Sequence, residues 1–185
     1  MAFDKESFVY GVKDCKVAKL TADAQGGAAT YDSVVDVPGI KSVGVSFAVD
    51  EKELRGDEII IDSRAKISSV ELSVEHAVVD QDVLVVLLGG AATSSGTTPN
   101  IVKFFDLEGA DRPNYFKLEA QVVDIDDESA DAHFITWKAK LSGNLEMGAE
   151  GEDYKTVSFT AKGIPRLSDD KMFQLKFNET ETAIT

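Results

Sequence analysis

The stretch from Lys41 to Gly90 constrains the fold more than any other part of the chain. Val43, Val45, Phe47 and Val49 alternate with small residues, and Ile67, Val70, Leu72 and Val74 belong to a second extended run. Period-two alternation marks a strand with one buried and one wet face. Between the two runs, Asp50–Asp57 is charged and carries no such period, so it reads as a polar loop leading into extended chain from Glu58. Asp80-Gln-Asp82 followed by Val83–Leu88 and Gly89-Gly90 predicts a short buried helix closed by glycine. The unit therefore reads as strand, long polar loop, long strand, helix.

The flanking sequence is also mostly strand-like. Cys15, Val17 and Lys19 share one face of a short strand over Asp14–Leu20, and Asp23–Ser33 is a Gly/Ala/Asp-rich loop. Val34–Val37 is a brief strand stopped by the turn pair Pro38-Gly39. Ala91–Asn100 reads as an exposed loop, and Ile101–Leu107 as a strand whose adjacent Phe104 and Phe105 imply apolar surroundings on both faces. Tyr115–Ile125 and Ala132–Leu141 are strands around an acidic hairpin tip at Asp124–Asp131. Val157, Phe159 and Ala161 alternate toward the core, and Met172–Phe177 is the last strand. Strand patterns far outnumber the single helix. The expected fold is mainly β, a β-sandwich or partly closed barrel with one packed α-helix.

Composition narrows the function. The chain has 185 residues and a net charge of −14, from 33 acids against 19 bases. That length suits one domain with a real core. The acidity speaks against gripping nucleic acid through its phosphates. One cysteine, Cys15, leaves no internal disulfide or cysteine-ligated zinc site. Met1–Tyr10 is polar and mixed in charge, so no signal peptide is expected, and Val83–Leu88 is too short to cross a bilayer. We expect no membrane partner.

Candidate chemistry is thin. His76 and His133 are the only histidines and fall on different predicted strands, where they read as ordinary strand residues. Cys15 has no neighbouring histidine or helix start to lower its pKa and reads as a buried, inert thiol. The acidic run Asp124–Glu128 lacks the glycine and spaced glutamate of a calcium loop and reads as a solvated tip. Arg55-Gly56-Asp57 and Asn178-Glu-Thr180 match short adhesion and glycosylation motifs and are read as chance. No constellation amounts to an active site; the expectation is a non-enzyme with no cofactor and no metal. The segment Asp50, Glu51, Lys52, Glu53, Leu54, Arg55, Gly56, Asp57, Glu58 stands out instead, with both signs of charge around one apolar residue. It reads as an arm for a charged partner surface.

Taken together these residues resemble the major tail tube proteins of long-tailed bacteriophages of the siphovirus type. Tyr10-Gly-Val-Lys-Asp14, Val35-Asp-Val-Pro-Gly39, Glu53-Leu-Arg-Gly-Asp57 and Val70-Glu-Leu-Ser-Val-Glu-His76 carry the resemblance. So do Leu84-Val-Val-Leu-Leu-Gly-Gly90, Ser95-Gly-Thr-Thr-Pro99, Arg112-Pro-Asn-Tyr-Phe-Lys-Leu-Glu119 and Phe177-Asn-Glu-Thr180. Together they run through nearly all of the chain in the expected order.

The resemblance implies a single tail-tube domain over residues 1–185, with an N-terminal arm at about 1–13, a stacking loop at about 50–62 and a polar C-terminal tail at about 178–185. Six copies would close into a ring, and rings would stack into a hollow tube carrying phage DNA from capsid to host. The implied partners are other copies of the chain, a tape measure protein inside the tube before ejection, and terminator, distal tail and baseplate proteins. DNA would pass without specific binding. The implied location is the virion, after assembly in the host cytoplasm. Glu71, Glu75 and Glu119 are expected to face the lumen and repel the DNA backbone, with Lys117 departing from an acidic lining. Phe3, Phe8 and Tyr10, and the tail Asn178–Thr185, are expected to reach neighbouring copies. Alternatives are a terminator or connector ring of the same fold, a carbohydrate-binding or adhesin β-sandwich whose aromatic platform would start from Trp137 or Tyr154, and a small β-barrel enzyme using His76 or His133 beside a carboxylate.

Overall fold

The structure, a computed structural model, describes residues 9–124, 130–148 and 156–184. Eleven strands and one helix follow in order among these residues: β1 Val9–Ala22, β2 Thr30–Tyr31, β3 Val35–Asp36, β4 Ile40–Gly56, β5 Ile59–His76, α1 Gln81–Leu88, β6 Ala91–Ser95, β7 Val102–Asp106, β8 Phe116–Asp124, β9 Asp131–Glu146, β10 Val157–Gly163 and β11 Phe173–Asn178. Nine of the strands form one large sheet with the path β2-β1-β8-β9-β10-β5-β4, to which β3 and β11 attach through β1 and β9. Every pairing is antiparallel. β6 and β7 form a separate hairpin. The fold is mainly β, as expected, but the sheet does not close into a barrel.

The alternating residues meet where their period requires. Val70, Leu72 and Val74 from β5 are buried with Cys15 and Val17 from β1, Phe116, Leu118 and Ala120 from β8, and Phe159 and Ala161 from β10. Strands far apart in the sheet thus share one core, so the sheet curls over it. Helix α1 packs into that core with Val83, Val86 and Leu87. Its start is set by Asp80, whose Oδ1 accepts the Asp82 N–H at 2.7 Å. Its end is set by Gly89, at φ 85°, whose N–H donates to the Val85 carbonyl. Gly90 follows at φ 74°, and a Cβ there would stand 2.5 Å from the Asp106 carbonyl oxygen, so two glycines let the chain turn tightly into β6.

Several expectations change. Asp50–Asp57 is not a loop: β4 and β5 stay paired from Ile40↔His76 to Gly56↔Ile59. The connection is a two-residue turn with Asp57 at φ 48° and Glu58 at φ 67°, the double positive φ of a type I′ hairpin. Ala91–Ser95 is strand rather than loop, and Phe104 is 45% exposed rather than enclosed on both faces. Residues 9–13, expected to be part of an arm at about 1–13, belong to β1 instead, which pairs with β8 from Val9↔Asp124 onward. Phe3, Phe8, the acidic tip at 125–128, Tyr154 and Thr185 lie outside the described residues.

Candidate assembly surfaces

Strand β5 has a second neighbour, β10, only between Val70 and His76. Farther out, among the described residues, β4 and β5 pair only with each other. A bulge at Ser68 marks the departure: Ala48 faces Ser69, whereas Val49 faces Ile67. The two-stranded arm beyond it is roughly 25 Å long at the rise of a strand. A lone hairpin is marginally stable in water and leaves both backbone edges open. Its side chains are equally exposed. Ile59, Ile60 and Ile61 are 64%, 53% and 63% accessible, and Val49, Leu54 and Ile67 are also exposed. Arg55 is held by Glu53 at 2.6 Å and Arg64 by Asp62 at 3.3 Å. These pairs leave Asp57 and Glu58 as the net charge of the tip. Asp50, Glu51, Lys52, Glu53, Leu54, Arg55, Asp57 and Glu58 therefore share one projecting element, a paired ribbon closed by a tight turn rather than a loop.

The β6–β7 hairpin is a second exposed apolar element. Phe104 and Val102 lie two residues apart on one strand, opposite Thr93 and Ser95, and both are exposed. Ile101 and Leu107 flank them, exposed as well.

Glu71 and Glu75 do project from the wet face of β5. They stand in rows with Ser42, Gly44 and Ser46 of β4 and with Ser158, Thr160 and Lys162 of β10. The Glu75 carboxyl is held below its ordinary range by hydrogen bonds from Thr156 and Lys41. The face is thus rich in small hydroxyl groups, with acids partly offset by Lys41 and Lys162.

Glu119 is placed differently. It is only 8% exposed, with its carboxylate 2.8 Å from His133 Nδ1 and 3.0 Å from Lys117 Nζ. It does not present a free charge to solvent. His133 Nε2 faces Asp131 at 3.1 Å and the Thr182 carbonyl at 2.9 Å. Asp131 also accepts from the Thr182 N–H, Asn178 and Gln121. Burial alone would raise the Asp131 carboxyl, but these donors outweigh it and hold it below the usual range. The C-terminal segment is thereby strapped onto its own sheet: Lys16 donates to the Ile184 carbonyl at 2.8 Å, and Ile184 is buried. Residues 178–184 were expected to reach a neighbour. In the folded chain they lie back on β8 and β9, where the Thr182 backbone and the Asn178 side chain complete the hydrogen bonding of the buried groups His133, Gln121 and Asp131.

His133 does sit beside carboxylates, as an enzyme would require, yet its two nitrogens take different acids and the strap covers them. Among the described residues no three His, Cys, Asp or Glu side chains are placed to hold a metal ion. His76 lies elsewhere, its Nδ1 donating to the Val78 carbonyl at 2.8 Å and its ring edge-on to Phe159; burial lowers its pKa. Burial, with Asp14 and Asp36 nearby, pushes the Cys15 thiol up, away from reactivity. Trp137 is covered by the Arg166 guanidinium, 4.3 Å from its ring centre, so it is not an open platform. A groove of about 700 Å³ beside α1 has Val34, Val35, Val85 and Val86 among its apolar lining and Asp32, Asp36, Asp80 and Asp82 among its acids. Sequence reasoning missed the β6–β7 surface and the strap; the exposed apolar run Ile101-Val102 was the available signal for the first. No protein-family model and no curated protein matches the chain.

Proposed function

We propose that the protein is a structural subunit that assembles with copies of itself, as rings stacked into the tail tube of a siphovirus-type phage. The observation that carries this is the projecting arm, a long ribbon with three exposed isoleucines and two open edges that nothing in its own chain covers among the described residues. Exposed edges and apolar tips of this kind aggregate unless a partner takes them up. The whole-chain resemblance supplies the rest of the proposal: the six-fold ring, the hollow tube, the conducted DNA, and the tape measure, terminator and baseplate partners.

Magnitudes suit a stacking contact. Burying a half-exposed isoleucine is worth about 1–2 kcal/mol, so three give about 3–6 kcal/mol gross. Joining two bodies costs about 4–15 kcal/mol. One arm is therefore too weak to hold two copies together, whereas several arms engaged at once between rings are not. Such a chain stays soluble as a monomer and polymerises once rings exist. The hydroxyl-rich face with Glu71 and Glu75 suits a channel wall, because it offers phosphate little to hold.

The test is a variant in which residues 50–66 are replaced by Asn-Gly. Its circular dichroism and melting should remain close to the parent's, since the core lies elsewhere, while rings and tubes disappear from electron micrographs. Tubes of normal length from this variant would refute the assigned role of the arm.

A further inference from the structure

The C-terminal strap is closed by few contacts. Of residues 179–184 only Ile184 is buried. Where the strap crosses β8 and β9 the floor is polar: Glu119, Gln121, Asp131 and His133 are buried there, with Lys117 beside them. An apolar floor would hold the strap shut by burial alone, whereas a charged one takes up water readily when uncovered. Opening of this segment is therefore a local event that leaves the core folded. It turns on the hydrogen bonds at the floor.

His133 stands at their centre. Its Nδ1 faces Glu119 Oε1 at 2.8 Å, and the other oxygen of that carboxylate accepts from Lys117 Nζ at 3.0 Å. Its Nε2 faces the Thr182 carbonyl of the strap at 2.9 Å and Asp131 Oδ2 at 3.1 Å. The carbonyl has no hydrogen to give, and neither has Asp131, whose donors hold its carboxyl below the ordinary range. Both ring nitrogens thus face acceptors, which only a ring with a hydrogen on each can satisfy. With hydrogen on Nδ1 alone, the Nε2 lone pair repels the strap's own carbonyl. With hydrogen on Nε2 alone, Nδ1 repels Glu119 and the ring that carries the strap must shift.

We infer that the second proton on His133 latches the C-terminal strap, which is closed while the ring carries both hydrogens and loosens when a rise in pH removes one. The other charged neighbours do not replace it. Lys176 is the cross-strand partner of His133 on β11 but is exposed. On β1, Lys16 and Asp14 lie across from Glu119 and Gln121 and approach each other at 3.5 Å. Lys13 holds Glu181 of the strap at the surface. Asp131 fails on the acid side and the ring on the alkaline side, so the strap stays closed within a window of pH. The latch works within one chain and does not depend on how copies assemble.

The test is an NMR titration of the full chain between about pH 5 and 9, following the imidazole signals of the two histidines and the methyl groups of Ile184. Signals missing from His133→Gln and Ile184→Val spectra assign them. The ring should lose its second proton and Ile184 its buried position with one midpoint, the open population rising about ten-fold or more, while the Leu87 methyls in the core stay in place. In His133→Gln, Ile184 should match the parent's alkaline form and show no step. A strap that stays closed through loss of the proton, a ring already neutral under a closed strap, or an Ile184 that moves only when Leu87 does would each overturn the latch. If His133→Gln does not fold, the parent titration decides alone.

Discussion

Asp131 joins three parts of the chain at one carboxylate: β9 through its own backbone, β8 through Gln121, and the C-terminal strap through Asn178 and the Thr182 N–H. Removing it strands His133, Gln121 and the strap's backbone in a buried site. Asp131→Ala should therefore cost about 3 kcal/mol in urea unfolding, and the strap should become sensitive to carboxypeptidase. Acid should act on the same contacts. Asp131 is held below its ordinary range, and Asp23 is lowered to about 2: burial works against its ionisation, but the Leu167 and Ser168 N–H groups and Lys138 outweigh it. Groups whose folded pKa is depressed stabilise fully above the unfolded value, about 4 for aspartate, and lose that contribution as pH falls through the folded one. Stability should thus be insensitive to these groups between about pH 5 and 8, and fall between about pH 4 and 2. A titration of melting temperature that dropped near pH 6 would place the controlling group elsewhere.

At the scale of elements, the arm depends on a turn that strains its own residues. Asp57 and Glu58 both occupy positive φ, which costs a side-chain-bearing residue roughly 1 kcal/mol and which glycine enters freely. Glu58→Gly should slow amide hydrogen exchange along β4 and β5 beyond residue 49 and leave the core amides unchanged; faster exchange in the arm would contradict the type I′ geometry. The arm also marks where sequence was legible and where it was not. Val70, Leu72, Val74, Val157, Phe159 and Ala161 announced their strands because each has one face in the core. Asp50–Gly56 is paired as well, through a bulge at Ile61, but neither of its faces is buried, so no apolar period records the strand. Ala91–Ser95 was hidden for the same reason. Helix α1 was legible to its last residue, since Asp80 and Gly89 set its ends by local chemistry. The strap around Asp131 and His133 was not legible at all, because its polar partners lie about fifty positions apart in sequence.

For the whole molecule, the proposed channel wall makes its own prediction. Tubes built from a Glu71→Lys, Glu75→Lys double variant should retain DNA at low salt and release it as salt rises, because each lysine that meets a phosphate displaces a counterion. Unaltered tubes should not retain DNA at any salt concentration; if they do, those two glutamates do not line the channel. On the proposed reading, a net charge of −14 makes copies repel one another until the exposed apolar surface of many arms is engaged at once. Assembly should therefore be steep in concentration and promoted by salt. The most direct measurement is electron microscopy of the purified protein over a concentration series at low and high salt. The account predicts hollow tubes or six-fold rings above a threshold concentration, reached sooner in high salt. Monomers at every concentration and salt, with the arm still open to protease, would contradict it.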